Sequence, residues 1–157
     1  MFKLSNDGLT KVKAELARYE AKESAIIPSL YIAQKENGGW VSDAVIEHLA
    51  SVMAIPSARI TEVFKFYTMF NQKPVGRYHV QVCTNISCAI NGARELTHHL
   101  IKEFHTKLDE VTQDGKFCFS KVECLGSCGT APMMQVNDDY HENLTKESAV
   151  KLLRSLP

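Results

Sequence analysis

The chain has 157 residues, 45% of them hydrophobic and 23% charged, which suits one or two small folded domains with a core to bury. Lys+Arg and Asp+Glu both number 18, so the formal net charge is zero; this argues against non-specific binding to nucleic acid or to acidic membranes, which needs a basic face. No apolar run approaches the length of a membrane helix. The opening stretch MFKLSNDGLTKVKAELARYE carries acids and lacks an apolar signal core, so it reads as neither a secretory nor an organellar address. The expectation is a cytosolic chain with reduced thiols.

Residues 1–75 read as helical. Leu9, Val12 and Leu16 repeat at three and four, and Ile27, Leu30 and Tyr31 do so after Ser24, with Pro28 acceptable only in a first turn. Val45, Ile46, Leu49, Val52 and Met53 form a third stripe opened by Ser42-Asp43, and Ile60, Val63, Phe64 and Tyr67 form a fourth. Gly38-Gly39 and Pro56-Ser57 punctuate the stripes, and NQKPVG at 71–76 reads as a linker. Residues 76–157 change period. Tyr78, Val80 and Val82 alternate as in a strand, and a helix with Leu96, Leu100, Ile101 and Phe104 on one face follows. Lys116–Glu123 reads as a strand after the Asp114-Gly115 turn, Met133–Asn137 as a short one, and Thr145 as the cap of a last helix bearing Val150, Leu152 and Leu153. The order β-α-β-β-α predicts a small α/β domain behind a helical bundle, α+β in two parts.

Five cysteines stand at 83, 88, 118, 124 and 128, all in the second part. Cys83 and Cys88 are spaced C-x4-C in VCTNISCAING, and Cys124 and Cys128 are spaced C-x3-C in VECLGSCGTAPMM. Both pairs occupy loops after predicted strands, where an α/β sheet presents a site. Cys118, in KFCFS, lies within a strand and reads as a buried structural thiol. An odd count and a cytosolic setting disfavour disulfides, and the C-x-x-C of dithiol redox enzymes is absent. Structural zinc and an iron–sulfur cluster both take four thiolates at such spacings and stay close, with the cluster modestly ahead. A four-thiolate [2Fe–2S] centre is anionic and needs backbone N–H groups aimed at sulfur. Gly126, Gly129 and a helix start near Ser87–Asn91 would supply them. No Lys or Arg lies in 78–93 or 122–145, and Glu123 adjoins Cys124. A low reduction potential follows, within the roughly −700 to +450 mV that such clusters span.

FYTMFNQKPVGRYHVQVCTNISC and VECLGSCGTAPMMQVND, with LYIAQKENGGW and the stretch 41–56, resemble the E subunit (24-kDa subunit) family of NADH:quinone oxidoreductase, respiratory complex I. The resemblance covers nearly the whole chain. It implies that Cys83, Cys88, Cys124 and Cys128 bind one [2Fe–2S] cluster, that 76–157 form a thioredoxin-like domain, and that 1–75 form a partner-binding helical bundle. It implies a larger flavoprotein partner, the F subunit, carrying FMN and NADH, and a place on the cytoplasmic face of the inner membrane held through the complex. Thioredoxin-like domains commonly place a cis-proline before the strand adjoining the active loop, and Pro132 stands in the corresponding place.

The chain has no G-x-G-x-x-G after a strand and no P-loop, so the expected role is one-electron transfer without a nicotinamide site of its own. The related alternative is the equivalent diaphorase subunit of an NAD-linked formate dehydrogenase or hydrogenase. A second class is an iron–sulfur redox sensor binding DNA through a helix-turn-helix over 42–68. Arg59, Lys65 and Lys73 are balanced in and just beyond it by Asp43, Glu47 and Glu62, which disfavours it. The same region is rich in aromatics. Phe64 and Tyr67 are spaced as core, and Phe66 or Phe70 is left to meet a partner. His79, His98, His99 and His141 show no metal-site spacing, and alternation places only one of Met133 and Met134 in the core.

Overall fold

The computed structural model describes residues 2–157. The chain forms two compact units that divide between Pro74 and Val75.

The first unit is helical: α1 (Asn6–Arg18), a 3-10 turn (Lys22–Ala25), α2 (Ile26–Glu36), α3 (Asp43–Met53) and α4 (Ser57–Phe66). Side-chain oxygens satisfy orphan backbone donors where helices begin. Ser5 accepts from the Gly8 N–H and Ser42 from the Val45 N–H. Pro28 lies in the first turn of α2, where its missing N–H costs no intrahelical bond. Val12, Leu30, Ala33, Val45, Leu49, Met53, Ile60 and Phe64 meet in one buried cluster.

The aromatic positions after α4 depart from the helical spacing. The helix stops at Phe66, so the repeat that would bury Tyr67 no longer applies, and Tyr67 is 37% exposed. Phe70, beyond the helix, folds back into the core at 2% exposure and meets Tyr31 edge-on, with ring centroids 5.2 Å apart. Phe66 is 77% exposed. Of the two residues expected to be free for a partner, Phe66 is and Phe70 is not.

The second unit holds a four-stranded sheet in the order β2-β1-β3-β4. β1 (Tyr78–Cys83) runs parallel to β2 (Phe117–Val122) and antiparallel to β3 (Met134–Val136). β3 in turn pairs with β4 (Asp139–His141). Between β1 and β2 come α5 (Ile86–Ile90) and α6 (Ala93–Glu103), and α7 (Lys146–Ser155) closes the chain. A parallel neighbour cannot be reached by a hairpin, so the crossover is helical. Val80, Val82, Phe119, Met134 and Val136 are buried in a core shared with Leu96, Leu100, Ala149 and Leu153. Each such large side chain contributes about 1.5–3 kcal/mol by burial.

Three details differ from the sequence reading. The helix after β1 is broken at Gly92, whose φ of 90° leaves the right-handed helical region. A fourth strand, β4, follows β3; it is three polar, largely exposed residues with no apolar alternation to reveal it. Met133 and Met134 are both buried, because Met133 precedes the strand and escapes its alternation. The Ala131–Pro132 peptide is cis, as the thioredoxin-like resemblance implies.

Candidate metal centre

The two cysteine loops leave neighbouring parallel strands at the same end. Cys83 is the last residue of β1 and sits opposite Val122, the last of β2. Equal direction and adjacent ends bring the following segments together. After β1, the Thr84 N–H donates to the Val122 carbonyl at 2.9 Å, and the Thr84 hydroxyl to the same oxygen at 3.0 Å. Asn85 then caps α5, its side chain accepting from the Ile86 N–H at 2.7 Å. That short helix carries Cys88. After β2, Cys124 stands two residues past the strand, and Cys128 opens a 3-10 turn over Cys128–Thr130.

All four thiols are free; Cys83 and Cys88 are buried, whereas Cys124 and Cys128 are exposed. The Cys83 thiol lies within hydrogen-bonding reach of both Cys88 and Cys124. Burial pushes Cys83 up, but backbone N–H groups of Asn85 and Leu125 and the thiols of Cys88 and Cys124 together bring it below the ordinary thiol value. Cys88 is pushed up to about 11, first by burial, then by its bond to Cys83 and the charge there. The Met133 N–H points at Cys88, and the Gly126 N–H donates to Cys124 Sγ at 3.3 Å. Gly126 holds φ at 79°, the left-handed region in which successive N–H groups turn to one side and form an anion nest.

This donor set fits an anionic two-iron cluster. Four thiols come from two loops, and backbone donors aim at Cys83, Cys88 and Cys124. Among the described residues, no three His, Cys, Asp or Glu side chains close on one point as a single ion's ligands. A two-iron centre does not require such a point, since each iron takes its own pair of thiolates.

Cys118 stands apart. It lies on β2 opposite His79, four residues short of the strand end, or about 13 Å along a strand. Burial raises its pKa. His79 is also committed elsewhere, its Nε2 lying 2.8 Å from Ser120 Oγ. In α4, which would be the recognition helix of a DNA-binding reading, Arg59 is paired with Glu62 at 3.0 Å.

Two residues beside the C-x3-C loop, Tyr140 and Glu142, carry no sequence signal. Tyr140 on β4 donates its hydroxyl to the Leu125 carbonyl at 2.9 Å. Glu142 accepts from the hydroxyls of Ser127 and Thr130. These partners lie 12 to 15 residues apart in sequence, with no spacing pattern to reveal them.

The family model for thioredoxin-like [2Fe–2S] ferredoxins matches residues 12–157. The E subunit of NADH-quinone oxidoreductase from Rickettsia conorii is 47% identical over 135 residues, covering 86% of this chain and 81% of that one. The chain belongs to the E-subunit family of NADH-quinone oxidoreductase. A Rhizobium meliloti member, the E subunit numbered 2, is 43% identical over 145 residues, covering 92% of this chain and 86% of that relative. Members are thus subunits of an oxidoreductase, and this one has the thioredoxin-like [2Fe–2S] fold. An NAD+-reducing [NiFe]-hydrogenase in the air-oxidized state shares the fold, with a TM-score of 0.69 and 20% identity. The match covers 82% of this chain but spans only 23% of the hydrogenase chain.

Proposed function

We propose that Cys83, Cys88, Cys124 and Cys128 hold one [2Fe–2S] cluster, and that the chain exchanges single electrons with FMN on a flavoprotein partner that binds NADH. The observation that carries this reading is the convergence of two thiol pairs at one sheet end with backbone N–H groups aimed at sulfur. When bound, the cluster supplies one-electron transfer without proton chemistry. The chain's own residues set the conditions. Cys83 and Cys88 anchor the buried side, while Cys124 and Cys128 lie on the exposed side, where a redox partner can approach. The Asn85, Leu125, Gly126 and Met133 N–H groups stabilise negative charge on sulfur.

The parent assembly is NADH:quinone oxidoreductase, supported by relatives of 47% and 43% identity that carry the E-subunit name. The diaphorase subunit of an NAD-linked hydrogenase is the second reading, favoured by the shared fold. No helix among the described residues is long and apolar enough to cross a membrane; attachment to the cytoplasmic face of the inner membrane runs through the assembly. The helical unit serves as an anchor for a partner, with Phe66 the most exposed aromatic available.

The test is metal analysis followed by reduction. Purified chain should contain two iron and two labile sulfide; one zinc without sulfide overturns the ligand assignment. NADH should bring up the EPR signal of the reduced cluster only after the flavoprotein is added. Catalytic NADH oxidation by the isolated chain would overturn the subunit reading.

A further inference from the structure

The edge strand β4 and the residues after it are bound to the C-x3-C loop at two points. At the near point, Tyr140 donates its hydroxyl to the Leu125 carbonyl at 2.9 Å. That carbonyl belongs to the same peptide plane as the Gly126 N–H, which donates to Cys124 Sγ at 3.3 Å. The N–H of Leu125 itself points at Cys83. Two successive N–H groups thus face ligand sulfurs while the carbonyl between them is held by Tyr140. A rigid peptide bonded at its oxygen cannot rotate its N–H off sulfur without breaking that bond, and the two bonds polarise each other. At the far point, the Glu142 carboxylate accepts from Ser127 and, at 2.7 Å, from Thr130, which lie on either side of Cys128. Backbone bonds from the Asn143 N–H to the Thr130 carbonyl at 2.7 Å and from the Leu144 N–H to the Pro132 carbonyl at 3.0 Å continue the seam.

We infer that Tyr140 is a positioning residue that sets the reduction potential by fixing the 125–126 peptide, with Glu142 holding the other end of the loop. This rests on the ligand assignment above. Tyr140 is 51% exposed and lies outside the sheet's core, so its hydroxyl can be removed without opening a cavity. N–H groups bonded to sulfur stabilise the extra negative charge of the reduced state and raise the potential. Freeing the peptide lowers it.

The experiment is an EPR-monitored redox titration of the full-length, cluster-loaded chain, wild type against Tyr140→Phe, with iron and sulfide counted in both. The expected result is a lower potential in Tyr140→Phe, by about a threefold change in the reduced-to-oxidised ratio. At 59 mV per tenfold for one electron, that is ~28 mV. Iron content should be unchanged. An intact two-iron centre with an unmoved potential overturns this proposal alone, whereas a wild-type chain lacking a two-iron centre overturns both it and the ligand assignment. Glu142→Ala tests the far tether without touching β4. Iron release to a chelator should be several-fold faster than in wild type and recover in Glu142→Gln, whose amide oxygen can accept the same hydroxyls. Equal release rates in all three chains overturn the loop-holding role.

Discussion

Replacing Cys118 and Cys124 by serine should produce opposite failures. Cys118 is 2% exposed within β2. A hydroxyl buried there without a partner would cost about 1–3 kcal/mol. The Ser120 side chain already lies in hydrogen-bonding reach of the thiol, so the cost should fall near the lower end, about 1 kcal/mol. For a domain of this size that lowers the thermal midpoint by ~4–8 °C. Iron content should not change, because the residue sits about 13 Å back along the strand from the loop. Cys124 is exposed and bears no core packing. Cys124→Ser should leave the cluster-free chain within about 0.5 kcal/mol of wild type, yet lose or badly destabilise the cluster. The assays are iron and sulfide analysis after reconstitution, and thermal unfolding by circular dichroism on cluster-free protein. Equal cluster loss in both variants would refute the ligand assignment. A Cys118→Ser chain as stable as wild type would refute the burial argument.

Gly76 and Gly115 both hold positive φ, at 71° and 73°, but only Gly76 is crowded. A Cβ there would sit 3.0 Å from the Gly115 carbonyl oxygen and 3.2 Å from Val111 Cγ1, whereas on Gly115 it would meet nothing within 4 Å beyond the adjoining residues. Gly115→Ala should therefore cost about 1–2 kcal/mol from backbone strain alone, and Gly76→Ala distinctly more in denaturant titration; equal costs would refute the steric argument. Burial lowers the His79 pKa below its ordinary 6.5, against a smaller opposing pull from Asp109. The unfolded chain therefore binds the proton first, so this contribution is complete above about pH 6.5 and lost as pH falls towards the folded value, at up to ~1.4 kcal/mol per pH unit. His79→Gln should flatten that acid limb in urea unfolding series, and an unchanged slope would show that other groups set it. Thr145 caps α7 in a capping box with Ser148, so Thr145→Ala should lower stability by ~0.5–2 kcal/mol in the same assay. A chain as stable as wild type would mean that water replaces the cap.

Whatever repeats with a short period, or falls within one turn of chain, is legible in the amino-acid order alone. Leu9, Val12 and Leu16, or Val80 and Val82, announce a helix and a strand because one buried face demands that spacing. The Ser42 and Thr145 caps are local bonds across three residues. The two thiol pairs are legible for the same reason: each is a short loop motif after a strand. Contacts between distant segments settle the rest. Phe70 is buried and Tyr67 exposed because α4 ends at Phe66 and the chain folds back, which no helical repeat encodes. β4 exists because the antiparallel partner β3 lies beside it, although its own residues are polar. The meeting of Cys83 with Cys124, and the hold of Tyr140 on the Leu125 peptide, arise from strands brought side by side. Hydrogen bonds across such gaps depend on register and direction, and those are fixed only when the whole sheet packs on its helices.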